Sequence, residues 1–189
     1  MRSIRCWIFC KAVPTLILAS SSPRRRELLQ KITRDFVVVN PVCEEISVGD
    51  PIYIAETNAT LKGRAVQGEF VLACDTLVAM NGKIYGKPHT VENAVAMLRE
   101  LVGKTHEVVS GVYVRYRGQE RIFHDCSFVT FYPLTEEQIV RYVREYSPLD
   151  KAGSYGLQDG VVVESFRGSS DNVIGLPTEK IEEVLKELC

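Results

Sequence analysis

The sequence predicts a single α/β domain in which a mixed sheet is flanked by helices. Short apolar runs alternate with segments of helical periodicity, and two long alternating segments in the middle are typical of an antiparallel strand pair. The 189 residues contain no linker, repeat or low-complexity stretch, and this length suits one domain. We therefore expect residues 14–189 to form one domain behind a short extension, residues 1–13.

The first half of the chain is expected to supply the first strands and two helices. Ser22 is a suitable N-cap, and Pro23 is well placed at the first helical position. Asn81-Gly82 is a strong signal for a hairpin between two short strands. An apolar strand before it is expected to stop at Asp75. The predicted strands are 15–19, 36–39, 70–74, 77–80 and 83–85, and the predicted helices are 24–31 and 52–66.

The second half of the chain is expected to contain the long strand pair and three helices. Thr90 caps a helix that Gly103 ends. Two long strands are joined around Gly118, and Thr135 with Gln138 forms a capping box at the start of the next helix. The predicted strands are 106–116, 121–131 and 161–166, the predicted helices run to 101, from 135 to 146 and from 177 to 188, and residues 151–160 form a loop.

Composition excludes several classes of protein. The 23 basic and 24 acidic residues leave a net charge of −1, so no basic excess attracts nucleic acid or acidic lipid. No apolar stretch approaches the roughly 20 residues of a membrane span. Residues 1–13 lack the apolar core of a secretory signal, although a weak organellar address stays open. We expect a cytoplasmic protein with neither nucleic acid nor membrane as a partner.

The cysteines and histidines show no metal-binding or disulfide pattern. The six cysteines form no C-x-x-C pair, so we expect free thiols in a reducing compartment. The three histidines have no metal-ligand spacing, and His106 and His124 are expected to be structural. The sequence also lacks a P-loop, a G-x-S-x-G motif and a G-x-G-x-x-G motif that opens a helix.

A serine- and arginine-rich turn, residues 20–26, follows the first predicted strand. A strand, a serine turn and a helix N-terminus together offer an anion free backbone N–H groups, hydroxyl donors and the positive end of the helix dipole. Arg24 and Arg25 add donors that bind phosphate in pairs. Because cations are unfavourable at a helix N-terminus, three arginines there favour an anionic ligand over a merely solvated basic turn.

Three further polar positions lie beside apolar segments, where ligands of α/β proteins usually bind. Asp75 suits a metal ligand or a general base, although alone it is better explained as a turn former. Lys87 lies between a glycine and a proline and is suited to neutralise a phosphate, although alone it is better explained as an exposed turn lysine. Gln158 lies in a glycine-containing loop, 150–160, which forms either a wall against a nucleobase or an ordinary surface loop.

Five sequence blocks, in this order and at this spacing, resemble the Maf family. Each block alone is weak evidence, but the five in order are highly specific, and the match extends from about Leu16 to the C-terminus. The blocks are L-I-L-A-S-S-S-P-R-R-R-E-L-L at 16–29, A-C-D-T-L-V at 73–78, G-K-P at 86–88, K-A-G-S-Y-G-L-Q-D-G at 151–160 and N-V-I-G-L-P at 172–177.

The resemblance implies a fold, a reaction and roles for individual residues. The fold would be the Maf/inosine-triphosphatase-like α/β fold with a deep nucleotide cleft, and homodimers are common in the family. The reaction would convert a nucleoside triphosphate and water to the monophosphate and pyrophosphate, with Mg²⁺, or Mn²⁺ or Co²⁺, as a divalent metal cofactor. Asp75 would be the catalytic base, Lys87 and Glu45 would be further catalytic residues, and Asp75 and Glu45 would bind the metal. The substrate-binding positions would be Ser20, Ser22, Arg24 and Arg25 of the phosphate turn, and Lys62, Thr76 and Gln158.

Within the family, the sequence is similar to the branch that acts on dTTP and UTP. Arg24, Thr76 and Gln158 match that branch, whereas Cys74 and Asp159 depart from its usual pattern. Two alternatives stay open. One is the branch that favours 7-methyl-GTP and CTP, and the other is a nucleotide-sensing regulator of cell division without catalysis.

Overall fold

A computed structural model describes residues 14–188 and has the predicted α/β architecture. Within this range, seven strands form one mixed sheet in the order β2-β1-β3-β5-β6-β7, with β4 paired to β3. The extension 1–13 lies outside the described residues, as do Cys6, Cys10 and Cys189. The strands are β1 Leu16–Ala19, β2 Phe36–Val39, β3 Phe70–Met80, β4 Lys83–Tyr85, β5 Thr105–Tyr116, β6 Gln119–Phe131 and β7 Val163–Arg167, and the helices are α1 Pro23–Leu29, α2 Pro51–Arg64, α3 Val91–Leu101, α4 Glu136–Tyr146, α5 Ser170–Ile174 and α6 Thr178–Leu188.

The sheet combines a parallel edge with an antiparallel remainder. β1 is parallel to both β2 and β3, whereas β3, β5, β6 and β7 pair antiparallel in that order. The long pair β5 and β6 runs from Thr105 opposite Thr130 to Tyr116 opposite Gln119, so the predicted antiparallel pair is confirmed. Parallel strands need crossover connections, and α1 and α2 supply them.

One strand boundary that the sequence predicted is wrong. β3 does not stop at Asp75 but continues to Met80, and Asp75 pairs with Gly111 of β5 in an unbroken ladder. Successive side chains of a strand point to opposite faces. Asp75 and Thr76 therefore each find polar partners on a different face, and two polar residues in succession do not end the strand.

The helix start signals hold where the sequence placed them. The Ser22 side chain accepts from the backbone N–H of Arg25, and Thr135 and Gln138 form the expected capping box. The helix α5 was not predicted, because five residues are too few to show helical periodicity. No helix within residues 14–188 is long and apolar enough to cross a membrane.

Helix α2 lies unusually close to one face of the sheet. A Cβ atom at Gly111 would overlap the backbone of Ala55, and one at Gly63 would overlap the ring of Tyr113. Two glycines at the contact thus allow the helix backbone and the sheet to approach each other. The apolar part of this contact includes Ala59, Ala73 and Tyr113.

The opposite face of the sheet carries two separate apolar clusters. One joins Leu29 of α1 to β1, β3 and β5, and the other joins Leu98 of α3 and Ile139 of α4 to β3, β5 and β6. Thr76 on β3 and Ser110 on β5 lie between the two clusters and form a hydrogen bond of 2.9 Å. A polar gap therefore interrupts the core where the ligand-binding residues were expected.

Three cysteines of the described range are free, and two of its histidines have side-chain partners. Cys43, Cys74 and Cys126 are free thiols, and burial raises the pKa of the Cys74 thiol. His106 is buried, and its Nε2 atom lies 3.0 Å from the Tyr155 hydroxyl. His124 Nδ1 lies 2.8 Å from the Glu56 carboxylate.

Candidate active site

One cavity of about 830 Å³ contains every site residue that the sequence predicted. It opens where the C-terminal end of β1, the middle of β3 and the loop after α4 meet. Its wall includes the N-terminal end of α1. The ten predicted residues in its lining are Ser20, Ser22, Arg24, Arg25, Glu45, Lys62, Asp75, Thr76, Lys87 and Gln158.

The serine turn after β1 has the form of an anion cradle. Ser20 is buried, and its Oγ atom accepts from the backbone N–H of Ser22 at 3.2 Å. The Ser22 hydroxyl accepts from the N–H of Arg25, which caps α1. The turn and the positive end of the helix therefore face the same cavity, which is the arrangement that binds phosphate at helix N-termini.

Arg25 is oriented across the cavity by three acceptors. Its Nε donates to the carbonyl oxygen of Gly175 at 2.9 Å, and its two terminal nitrogens donate to the hydroxyls of Thr76 at 3.1 Å and Ser20 at 3.4 Å. Thr76 is thereby a positioning partner of an arginine, a contact that β3 provides by continuing past Asp75. A guanidinium fixed in this way presents its remaining donors in one direction.

Arg24 pairs with a carboxylate at the mouth of the cavity. Its guanidinium donates to the Asp150 carboxylate at 2.7 Å and to the Asp150 carbonyl at 3.2 Å. Partial burial opposes ionisation of Asp150, but the hydrogen bond and the charge of Arg24 outweigh it and hold the pKa of that carboxyl below its usual value. Asp150 begins the glycine-containing loop, so Arg24 connects the phosphate turn to that loop.

Lys62 binds two carboxylates at once. Its ammonium lies 2.5 Å from Asp75 Oδ1 and 2.9 Å from Glu45 Oε2. The side chains of Lys62 and Asp75 are 11% and 14% exposed, whereas Glu45 is 48% exposed. Two negative groups therefore meet one positive group, and the contact between Lys62 and Asp75 lies in a largely enclosed place, where electrostatic interactions are stronger than in water.

Lys87 and Gln158 lie on the cavity wall as exposed side chains. Gln158 belongs to a short 3₁₀ turn, Leu157–Asp159, whose last residue departs from the family pattern. Asp159 accepts from the Tyr142 hydroxyl at 2.5 Å, from the Gly156 N–H at 3.2 Å and from Lys151 at 3.4 Å. The Asp159 side chain thus anchors the loop to α4, and Gln158 keeps its exposure to the cavity.

Comparison with known proteins decides the family. The family model described as Maf-like protein matches residues 15–188. The dTTP/UTP pyrophosphatase of Thermosipho africanus is 40% identical over 174 residues, which cover 90% of this chain and 91% of that protein. The chain belongs to the Maf family. The dTTP/UTP pyrophosphatase of Bacteroides thetaiotaomicron is 41% identical over 184 residues, covering 92% of this chain and 95% of that protein.

A likeness to a solved structure is more distant. The structure of a HAM1 protein from Coxiella burnetii aligns with 91% of this Maf chain and 98% of its own at a TM-score of 0.49 and 13% identity. That similarity is too low to bear on function.

Sequence reasoning missed one residue at the centre of this Maf site. Asn58 of α2 is 3% exposed, and its amide nitrogen lies 3.2 Å from Asp75 Oδ2. It precedes Lys62 by one helical turn, so both side chains are on the same side of α2. The available signal was an asparagine in the buried face of a helix, since a buried amide needs several polar partners.

Asp75 and Glu45 are the two carboxylates of this Maf site that could bind a divalent metal. Within residues 14–188, His, Cys, Asp and Glu form no group of three that could hold a metal ion. Mg²⁺, however, usually takes only one or two protein carboxylates together with water and substrate phosphates. Asp75 and Glu45, which share the Lys62 ammonium, fit that requirement.

Proposed function

We propose that this Maf protein is a nucleoside triphosphate pyrophosphatase that hydrolyses dTTP and UTP to the monophosphate and pyrophosphate. The observation that carries the proposal is a single cavity whose lining includes three parts. They are the serine-arginine turn, Lys62 with the carboxylates of Asp75 and Glu45, and the Gln158 loop. These parts suit a polyphosphate, a reacting water molecule and a nucleobase. Two relatives with about 40% identity over nine-tenths of the chain are named dTTP/UTP pyrophosphatase.

Asp75 is the group best suited to activate water. In the reaction, water attacks the α-phosphorus while pyrophosphate leaves, and a carboxylate orients the water and accepts its proton. Asp75 is held by donors on both of its oxygens, Lys62 on one and Asn58 on the other. A base that is fixed before the substrate arrives loses little entropy in reaching its reactive orientation.

The cationic side chains offset the charge of the triphosphate. Arg25 is already aimed by Thr76 and Gly175, and Arg24 exchanges part of its contact with Asp150 for a phosphate oxygen. Lys62 and Lys87 add further positive charge to the lining. Such fixed charges stabilise the charge that develops on the phosphates in the transition state.

A divalent cation is proposed as the cofactor, Mg²⁺ first and Mn²⁺ or Co²⁺ as substitutes. Asp75 and Glu45 would hold it together with the substrate phosphates. When bound, it would supply a positive charge that polarises the phosphate oxygens. The proposal is supported by the common contact of the two carboxylates with Lys62, which brings them close to each other.

Gln158 is proposed to read the base. Uracil and thymine present a carbonyl acceptor at O4 beside the N3–H donor, and one glutamine amide pairs with both. Cytosine presents an amino donor and an unprotonated nitrogen at the same positions, so the amide that pairs with uracil is mismatched to it. Sites built on hydrogen bonds reject such a mismatch strongly.

We propose that the protein acts as a homodimer in the cytoplasm. The 23 basic and 24 acidic residues support a small nucleotide, rather than nucleic acid or a membrane surface, as the partner. The free thiols Cys43, Cys74 and Cys126 support the reducing cytoplasm as the location. The resemblance to the family supports a homodimer, which light scattering of the purified chain tests directly.

One assay tests the proposed function. The protein is incubated with Mg²⁺ and equal concentrations of dTTP, UTP, CTP, GTP and 7-methyl-GTP, and pyrophosphate, orthophosphate and each nucleotide are measured. We expect pyrophosphate and monophosphate, with dTTP and UTP consumed first. Preference for CTP or 7-methyl-GTP would contradict the substrate, stoichiometric orthophosphate would contradict the reaction, and binding without turnover would indicate a nucleotide sensor.

A further inference from the structure

Asn58 joins three parts of the proposed active site through one buried amide. Its Oδ1 accepts from the backbone N–H of Ile46 at 2.8 Å, and its Nδ2 donates to the Ile46 carbonyl at 3.1 Å. The same Nδ2 lies 3.2 Å from Asp75 Oδ2. The partners fix the orientation of the amide, because the reversed amide would place its NH₂ group against an N–H and its oxygen against a carbonyl and a carboxylate.

The two bonds to Ile46 hold a segment that has no regular structure of its own. Residues 40–50 contain no helix or strand, and Glu45 lies in this segment next to Ile46. The amide of Asn58 therefore pairs with the segment backbone as a neighbouring strand would. Glu45, the residue before Ile46, has its carboxylate 2.9 Å from the Lys62 ammonium.

The third bond completes the hold on Asp75. Lys62 donates to Oδ1 and Asn58 donates to Oδ2, so the carboxylate cannot rotate without losing a bond. Asn58 and Lys62 are four residues apart on α2, and such residues lie one above the other on a helix. An amide is the side chain that fits this place, since the position needs both an acceptor and two donations.

We propose that Asn58 is a positioning residue that fixes the Asp75 carboxylate and the Glu45 segment in one geometry. This inference rests on the proposed function, in which Asp75 activates the attacking water. Loss of Asn58 is expected to slow turnover and to leave substrate binding unchanged, because the phosphate turn on α1 and the Gln158 loop are held by other contacts. Misplacement of a reactive group by about 1 Å costs up to roughly 100-fold in rate.

Asn58→Leu tests the proposal, with Thr60→Ala on the same helix as the matched control. Leucine has a similar size but forms none of the three bonds, whereas the Thr60 hydroxyl donates within the helix, to the carbonyl of Glu56. With UTP and Mg²⁺, we expect Asn58→Leu to lower kcat by about 10- to 100-fold and to change KM by less than about threefold. Thr60→Ala is expected to keep both constants. The affinity for the α,β-methylene analogue of UTP, measured by titration calorimetry, is expected to stay the same in all three proteins.

Hydrogen exchange separates this inference from the proposed function. Backbone amides of residues 40–50 are expected to exchange faster in Asn58→Leu than in the wild type or Thr60→Ala, whether or not any nucleotide is hydrolysed. Unchanged exchange would overturn the inference, as would wild-type kcat or a raised KM at constant kcat. If the leucine variant does not fold, Asn58→Ser is judged by the same criteria. A wild type that releases no pyrophosphate would refute the proposed function alone.

Discussion

Replacement of Lys62 by methionine is expected to leave two carboxylates facing each other without a cation. Methionine keeps most of the side-chain volume but removes the ammonium that lies 2.5 Å from Asp75 and 2.9 Å from Glu45. Loss of one partner from a buried ion pair costs more than loss of the whole pair, since an uncompensated charge stays behind. The variant should therefore be less stable than the wild type in metal-free buffer.

The size of this loss follows from the geometry. Two oxygens at these distances from one nitrogen are at most about 5 Å apart, and at an effective dielectric constant of about 20 their repulsion is about 3 kcal/mol. Because Glu45 is 48% exposed, solvent screens part of the repulsion, and we expect a loss of about 2 kcal/mol.

Urea unfolding in the presence of EDTA measures the loss, with Lys186→Met as the control. Lys186 pairs with Glu182 on the surface at 3.9 Å, so its removal should leave the unfolding midpoint nearly unchanged. The double variant Lys62→Met with Glu45→Gln should regain part of the lost stability, because it retains one carboxylate. If Lys62→Met unfolds at the same urea concentration as the control, or if the double variant is no more stable, charge repulsion is the wrong explanation.

Three further predictions concern catalysis, specificity and pH. Asp75→Asn should lower kcat by about 100-fold or more while nucleotide affinity stays within a few-fold; a variant that kept over half of wild-type kcat in a pyrophosphate release assay would contradict the assignment. Gln158→Ala should reduce the preference for UTP over CTP by about 10-fold in kcat/KM, and an unchanged ratio in a competition assay would show that Gln158 does not read the base. Burial lowers the pKa of His106 to about 4 from its usual 6.5. As the pH falls, His106 is therefore protonated in the unfolded chain before it is protonated in the folded chain. The group should therefore cost almost no stability at pH 7.5 and about 2 kcal/mol at pH 5, and the difference between urea midpoints at these two pH values should be smaller in His106→Asn.

The elements with strong local signals could be predicted from the sequence. The N-cap at Ser22, the capping box at Thr135 and the hairpin at Asn81 all depend on residues within one turn of each other, so a short window contains the whole signal. The long strands β5 and β6 were predicted to within two residues at each end, because each keeps its pattern for more than ten residues.

The remaining features depend on contacts between distant parts of the chain. Whether β3 ends at Asp75 is decided by Gly111 on β5, which continues the ladder. The pairing of Arg24 with Asp150 joins residues 126 positions apart, and the role of Asn58 depends on Ile46 and Asp75 together. A sequence pattern shows that these residues are present, but it does not show which of them meet.

The contact of Lys62 with Asp75 and Glu45 depends on two glycines as much as on the charged side chains. Lys62 and Asn58 reach Asp75 only because α2 lies directly on the sheet, and a Cβ at Gly111 or at Gly63 would overlap the facing helix or ring. Gly111 is also the residue paired with Asp75, so one close approach of helix and strand occurs beside the proposed catalytic base. Glycine normally weakens a strand because it adds no side-chain packing. Here the absence of side chains at the two glycines brings the Asp75 carboxylate within reach of Lys62 and Asn58. A larger spacing between helix and sheet would separate these groups.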